Sequence, residues 1–229
     1  MRRIIMSKMI SDNNFWNKYL VVFIDLYNRN KTVLTLSVVI FFGFLFLGIL
    51  IGYFSSDFIG NLLKTLVKIL HESNIEITTL SLFLHNLQAA LIAYFGGIIG
   101  IIPLGALSAN GFVYGAFLGY LLHNNIVTSS GVLTPGYFII YTLPHGIFEI
   151  PGFIMAGAAG FRLTTMVVGV IKSVMRKTPI SDHYWKFKDS LALIAIAIVL
   201  IFIAAIIEAN ITISVGNYIT NLNLTVSGI

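Results

Sequence analysis

The sequence predicts an all-α integral membrane protein with about five transmembrane helices, the fourth broken at Pro144 and Pro151, and amphipathic helices lying on the membrane surface. Three observations carry that expectation. Of the 229 residues, 57% are hydrophobic and 10% charged, whereas soluble domains hold roughly a quarter charged residues. Apolar runs of about 20 residues, long enough to cross a bilayer core as helix, recur along the chain. The mean hydropathy of +0.92 argues against a separate soluble domain. One transmembrane domain over residues 32–209 is therefore expected, between a cytoplasmic N-terminal segment, 1–31, and an extracytoplasmic tail, 210–229.

Composition also removes several chemistries. Without cysteine there is no disulfide framework, thiolate metal site or cysteine nucleophile. The net charge of +5 comes from basic residues flanking apolar runs, where they report orientation and contact with anionic lipid rather than nucleic acid.

Taken in order, residues 1–31 combine six basic residues with an apolar patch from Phe15 to Ile24 that is too short to span. A surface-lying amphipathic helix is expected there, with Trp16 and Tyr19 at headgroup level. The first span runs from Thr32 to Phe54; it is too long for a cleavable signal core and lacks a small-residue cleavage site, so it is expected to stay as an anchor. Residues 55–78 mix charges of both signs with apolar positions at helical spacing, which predicts a second surface helix.

The second span, Thr79 to Pro103, opens with the polar group His85, Asn86 and Gln88 and turns near Pro103-Leu104-Gly105. Gly96 and Gly100 give it a close-packing face. In the third span, Ala106 to Val127, Gly111, Gly115 and Gly119 fall four apart and make a smooth stripe, suited to a central helix or a dimer contact. A turn-rich loop over 128–136 follows. Residues 137–171 are too long for one perpendicular span and read as a half-helix and a longer helix, with small residues repeating at Gly152, Ala156 and Gly160. The basic segment Lys172 to Lys188 precedes a uniformly aliphatic last span, Leu191 to Ile207, expected to face lipid.

Alternation over Ile211 to Val215 hints at a short strand. Asn210-Ile211-Thr212 and Asn223-Leu224-Thr225 match the glycosylation tripeptide, which matters only outside the cell. Five spans with the N-terminus in the cytoplasm place all 14 basic residues except Lys64 and Lys68 on the inner side, as the positive-inside rule requires.

The costliest feature is His145 with Glu149, inside an apolar run. Ionisable groups at membrane depth cost on the order of 3 kcal/mol each and are functional candidates by default. Their i, i+4 spacing stacks them on one helix face. His85 and His145 both fall about 9 Å from the outer end of their spans, at 1.5 Å per residue. Together with Glu149 they could give a Zn²⁺-like ion three ligands and one open position, and His123 lies in the same outer half. Two other readings remain open: a mutually satisfied pair that fixes helix register with Asn86 and Asn110, or a proton or ion path. Zinc-protease signatures and a serine–histidine–acid order are not visible.

The segments Phe83-Leu84-His85-Asn86-Leu87, Ala109-Asn110-Gly111 and Leu143-Pro144-His145-Gly146-Ile147-Phe148-Glu149-Ile150-Pro151, followed by Ala156-Gly157-Ala158-Ala159-Gly160, resemble the stage II sporulation protein M family over about residues 32–209. The resemblance implies a polytopic membrane protein. Sporulation members of the family act in a membrane complex with peptidoglycan-degrading partners that drives engulfment. Asn86, Asn110, Gly111, His145 and Glu149 match the family pattern, whereas His85 stands where an asparagine is common. The leading functional expectation is a membrane scaffold that organises envelope partners or membrane shape, with a homodimer packed through small residues. The rival is a metal-dependent intramembrane hydrolase or an ion or small-solute transporter using His145 and Glu149.

Overall fold

The computed structural model describes residues 15–62, 65, 78–124, 126–128 and 131–212. Five helices in it are long and apolar enough to cross a membrane. They are α1 (Phe15–Phe54), α2 (Thr79–Phe95), α3 (Ile102–His123), α4 (Pro135–Arg176) and α5 (Tyr184–Ile207). The chain is thus all-α in class and a multi-pass membrane protein. A two-stranded ribbon, β1 (Ile126–Thr128) against β2 (Gly131–Leu133), fills the expected turn between α3 and α4 without altering that class.

Each start has a local cause. Thr78 caps α2 in a reciprocal capping box with Ser81, which satisfies amides that have no partner in the first turn. Thr134 caps α4 and Pro135 opens it, where a missing amide costs nothing. Between α2 and α3 a 3₁₀ turn, Gly96–Ile98, leads to Gly100 at φ +89°, a conformation that favours glycine. The connection therefore closes before Pro103, and the expected turn at 103–105 is corrected: Pro103 stands in the first turn of α3.

Two expected breaks are absent. Residues 15–54 form one 40-residue helix, so the surface segment and the first span are continuous. Nothing between Ile24 and Thr32 stops the helix, and Asn30, a weak helix former, donates to the carbonyl of Leu26 at 2.8 Å. Likewise α4 runs for 42 residues through both Pro144 and Pro151. Each proline forfeits one amide bond, to Ile140 and Ile147 respectively. Breaking the helix in lipid would strip several more backbone groups, and neighbouring helices hold it instead. The second surface helix is described only over residues 56–62 and 65, and the rest lies outside the described residues. At the other end Ile211 and Thr212 belong to a π-helical turn, Glu208–Thr212, rather than a strand; residues 213–229 lie outside the described residues.

The helices pack most closely as two pairs, α1 with α3 and α4 with α5. Small residues make the first pair possible. A β-carbon on Gly111, Gly115 or Gly119 would fall on the carbonyls of Phe41, Leu45 and Ile49, and one on Gly48 or Gly52 on those of Phe112 and Ala116. The glycine stripe is thus occupied by α1 of the same chain. Gly152 receives Ile201 of α5, Ala156 is fully buried, and Gly160 abuts the carbonyl of Ala93 and the ring of Pro103. The last span is not purely lipid-facing, because Ala197, Ile201, Ala204 and Ala205 are buried, while Leu191 and Val199 on its other face are exposed. Its alanines supply the small-residue face that its uniform hydropathy conceals.

Candidate functional site

Because α4 is continuous, His145 and Glu149 stay one turn apart on a buried face, at 8% and 5% exposure. His145 Nε2 lies 3.6 Å from Glu149 Oε2. The other partners come from three further elements. Tyr114 of α3 donates its hydroxyl to Glu149 Oε2 at 3.0 Å. The buried Asn86 of α2 turns its amide toward Glu149. His145 Nδ1 lies 3.2 Å from Thr212 Oγ1, at the end of the π-helical turn after α5. That wider turn matters, since π-helical turns often re-aim side chains at functional sites. Among the described residues, no buried polar atom lacking a partner belongs to this centre.

Glu208, at the start of the same turn, completes the group. His145, Glu149 and Glu208 each offer one donor atom, and these lie within 4.8 Å of one another. His85 is not brought in. It is exposed, as its neighbour Asn86 being turned inward requires, because adjacent helical residues do not share a face. Asn110 is half-buried and donates to its own helix, at the carbonyl of Ala106, 2.9 Å away. Tyr114, one turn further along that helix, reaches the carboxylate instead. Neither Tyr114 nor Glu208 was among the residues expected here. The signals were an i, i+4 relation to Asn110 and a carboxylate closing the last apolar run.

A second buried polar cluster lies at the opposite end. Asp189 of α5 accepts from Arg29 Nη2 at 2.9 Å, Asn30 Nδ2 at 3.1 Å and Arg162 Nη2 at 3.3 Å, joining α1, α4 and α5. The Arg162 guanidinium also sits 4.5 Å from the centre of the Trp185 ring. Arg162, expected to mark orientation and lipid contact, is instead a buried structural cation. Asp189 and Glu208 are separated by about 28 Å of helix at 1.5 Å per residue. That separation is close to the thickness of a bilayer core, ~30 Å.

The family model for stage II sporulation protein M matches residues 32–213, from the first span to the threonine that holds His145. The chain belongs to that family. Two proteins of Methanocaldococcus jannaschii, both named as uncharacterized, are similar to this sporulation-M chain. MJ0706 is 28% identical over 199 residues, 82% of this chain and 84% of its own length. MJ0793 is 31% identical over 180 residues, 76% of this chain and 92% of its own length. No solved structure matches the chain. All the residues that build both polar clusters, apart from Arg29 and Asn30, fall inside the matched range.

Proposed function

We propose that this sporulation-M protein is a membrane scaffold, one that holds a fixed helical surface against other envelope proteins rather than catalysing a reaction. One observation carries the reading: the intramembrane centre is internally satisfied and draws its members from α2, α3, α4 and the turn after α5. A centre so connected holds the bundle in one arrangement, which is what an assembly platform needs. The N-terminus faces the cytoplasm on this reading, in keeping with the distribution of basic residues. A homodimer would have to use a face other than the Gly111, Gly115 and Gly119 stripe, which α1 covers.

The test compares His145→Ala and Glu149→Gln with wild type for melting temperature in detergent and for assembly size in native membranes. The scaffold predicts that both readouts fall together. Full stability and unchanged assembly in both variants would overturn it.

A second reading is favoured by one arrangement, the convergence of His145, Glu149 and Glu208. These donors suit a Zn²⁺-class cation with one position open for water or substrate. Thr212 on Nδ1 leaves Nε2 turned toward the carboxylate, as an outer partner of a metal-bound imidazole does. Elemental analysis of protein purified without chelator tests it. Near-stoichiometric metal lost in Glu208→Gln would support a metal centre, and its absence in folded wild type would oppose it.

A further inference from the structure

We propose that the groove between the end of α4 and the start of α5 binds the phosphate-bearing headgroup of an anionic membrane phospholipid. The groove, about 610 Å³, is lined by Lys172 and Arg176 from α4 and Lys186 from α5, together with Ser173, Asp182 and His183. Three cations thus face it against one carboxylate. Among the described residues none of the three makes an ion pair. Lys186 is repelled by both Lys172 and Arg162. A phosphate entering the groove relieves that repulsion.

Its position and its neighbour select a lipid. Lys186 lies in the first turn of α5, one turn before Asp189, and Tyr184 and Trp185 beside it are exposed residues of the kind that sit among headgroups. An apolar pocket of about 470 Å³, lined by Met166, Val170, Tyr184 and Phe187, adjoins the groove and shares His183 with it. The His183 ring is wedged where Gly169 leaves space, with Nε2 3.0 Å from Ser173 Oγ and Nδ1 buried without a partner. Free phosphate would use the basic side alone. A phospholipid places its headgroup in the basic groove and the first part of an acyl chain in the apolar pocket.

The test uses the full chain in neutral detergent, with binding read by native mass spectrometry and stability by thermal unfolding. The probes are phosphatidylglycerol, phosphatidylcholine with the same chains, and inorganic phosphate at equal concentration. Saturable binding of phosphatidylglycerol is expected, with stabilisation exceeding that from the other two probes. Lys172→Gln, Arg176→Gln and Lys186→Gln should each weaken it about fivefold. Lys31→Gln, exposed on α1 and outside both the groove and the apolar pocket, should leave it unchanged. Lipid-free melting of each variant identifies any folding defect, and a variant that melts as wild type yet binds equally well overturns the proposal. Equal stabilisation by phosphatidylcholine or by inorganic phosphate overturns the anionic-lipid assignment, and equal loss in Lys31→Gln overturns the groove as the site.

Discussion

The Tyr114 hydroxyl donates to Glu149 Oε2 across 3.0 Å, joining the glycine-striped α3 to the proline-containing α4. This bond links the two closely packed helix pairs, since α3 belongs to one and α4 to the other. A double-mutant cycle with Tyr114→Phe and Glu149→Gln therefore gives a coupling energy near 0.6 kcal/mol and below about 1.7, the range for hydrogen bonds between membrane helices. Thermal or denaturant unfolding in detergent measures it. Strictly additive effects would mean that the bond contributes nothing to holding the pairs together.

The two kinds of glycine in these helices should respond oppositely to a methyl group. Gly115→Ala pushes a β-carbon onto the Leu45 carbonyl and should destabilise by about 1–3 kcal/mol as α1 and α3 separate. A β-carbon on Gly43 meets nothing within 4 Å, so Gly43→Ala should raise stability by about 0.5–1 kcal/mol through helix propensity alone. Melting temperatures of the two variants check both signs.

In the second polar cluster, Asp189→Ala leaves Arg162 buried at 8% exposure without its carboxylate. Removing one member of a buried pair costs about 3–5 kcal/mol. The variant should be the least stable of those considered. Lys188→Gln, exposed one residue earlier, should stay within about 0.5 kcal/mol of wild type. Unfolding of the two variants side by side reads the difference.

Glu208, which spacing did not single out, takes the place in the group expected for His85. His85→Gln should leave the melting temperature at the wild-type value, because the side chain is exposed. Glu208→Gln, inside the group with His145 and Glu149, should shift it. Identical shifts in the two variants would contradict the placement of Glu208 in the centre.

Much of the fold was legible because hydropathy and small-residue spacing act over whole helices. Gly111, Gly115 and Gly119 announced a close approach, and the HxxxE spacing placed His145 and Glu149 on one face. What spacing could not supply was the partner across the bundle. His85 and Asn86 are equally polar and adjacent, so only the rotation of α2 decides which turns inward. Tyr114 reads in the sequence as an aromatic among apolar residues, and Glu208 as the end of a span. The prolines misled for a physical reason: rules for breaking a helix in water overstate the effect in lipid, where an interrupted helix exposes more unpaired backbone. Arg29, Asn30 and Asp189 were hidden by lying near the boundary, where charged residues are commonplace and their mutual burial becomes visible only in three dimensions.

The scaffold account is tested most directly by the size of the wild-type protein in native membranes, read by native electrophoresis after mild solubilisation with an antibody to the chain. The account predicts migration in an assembly containing other envelope proteins, well above the 25.3 kDa chain or its dimer once bound detergent is allowed for. Migration as the isolated chain or a simple dimer under conditions that preserve other membrane complexes would contradict it.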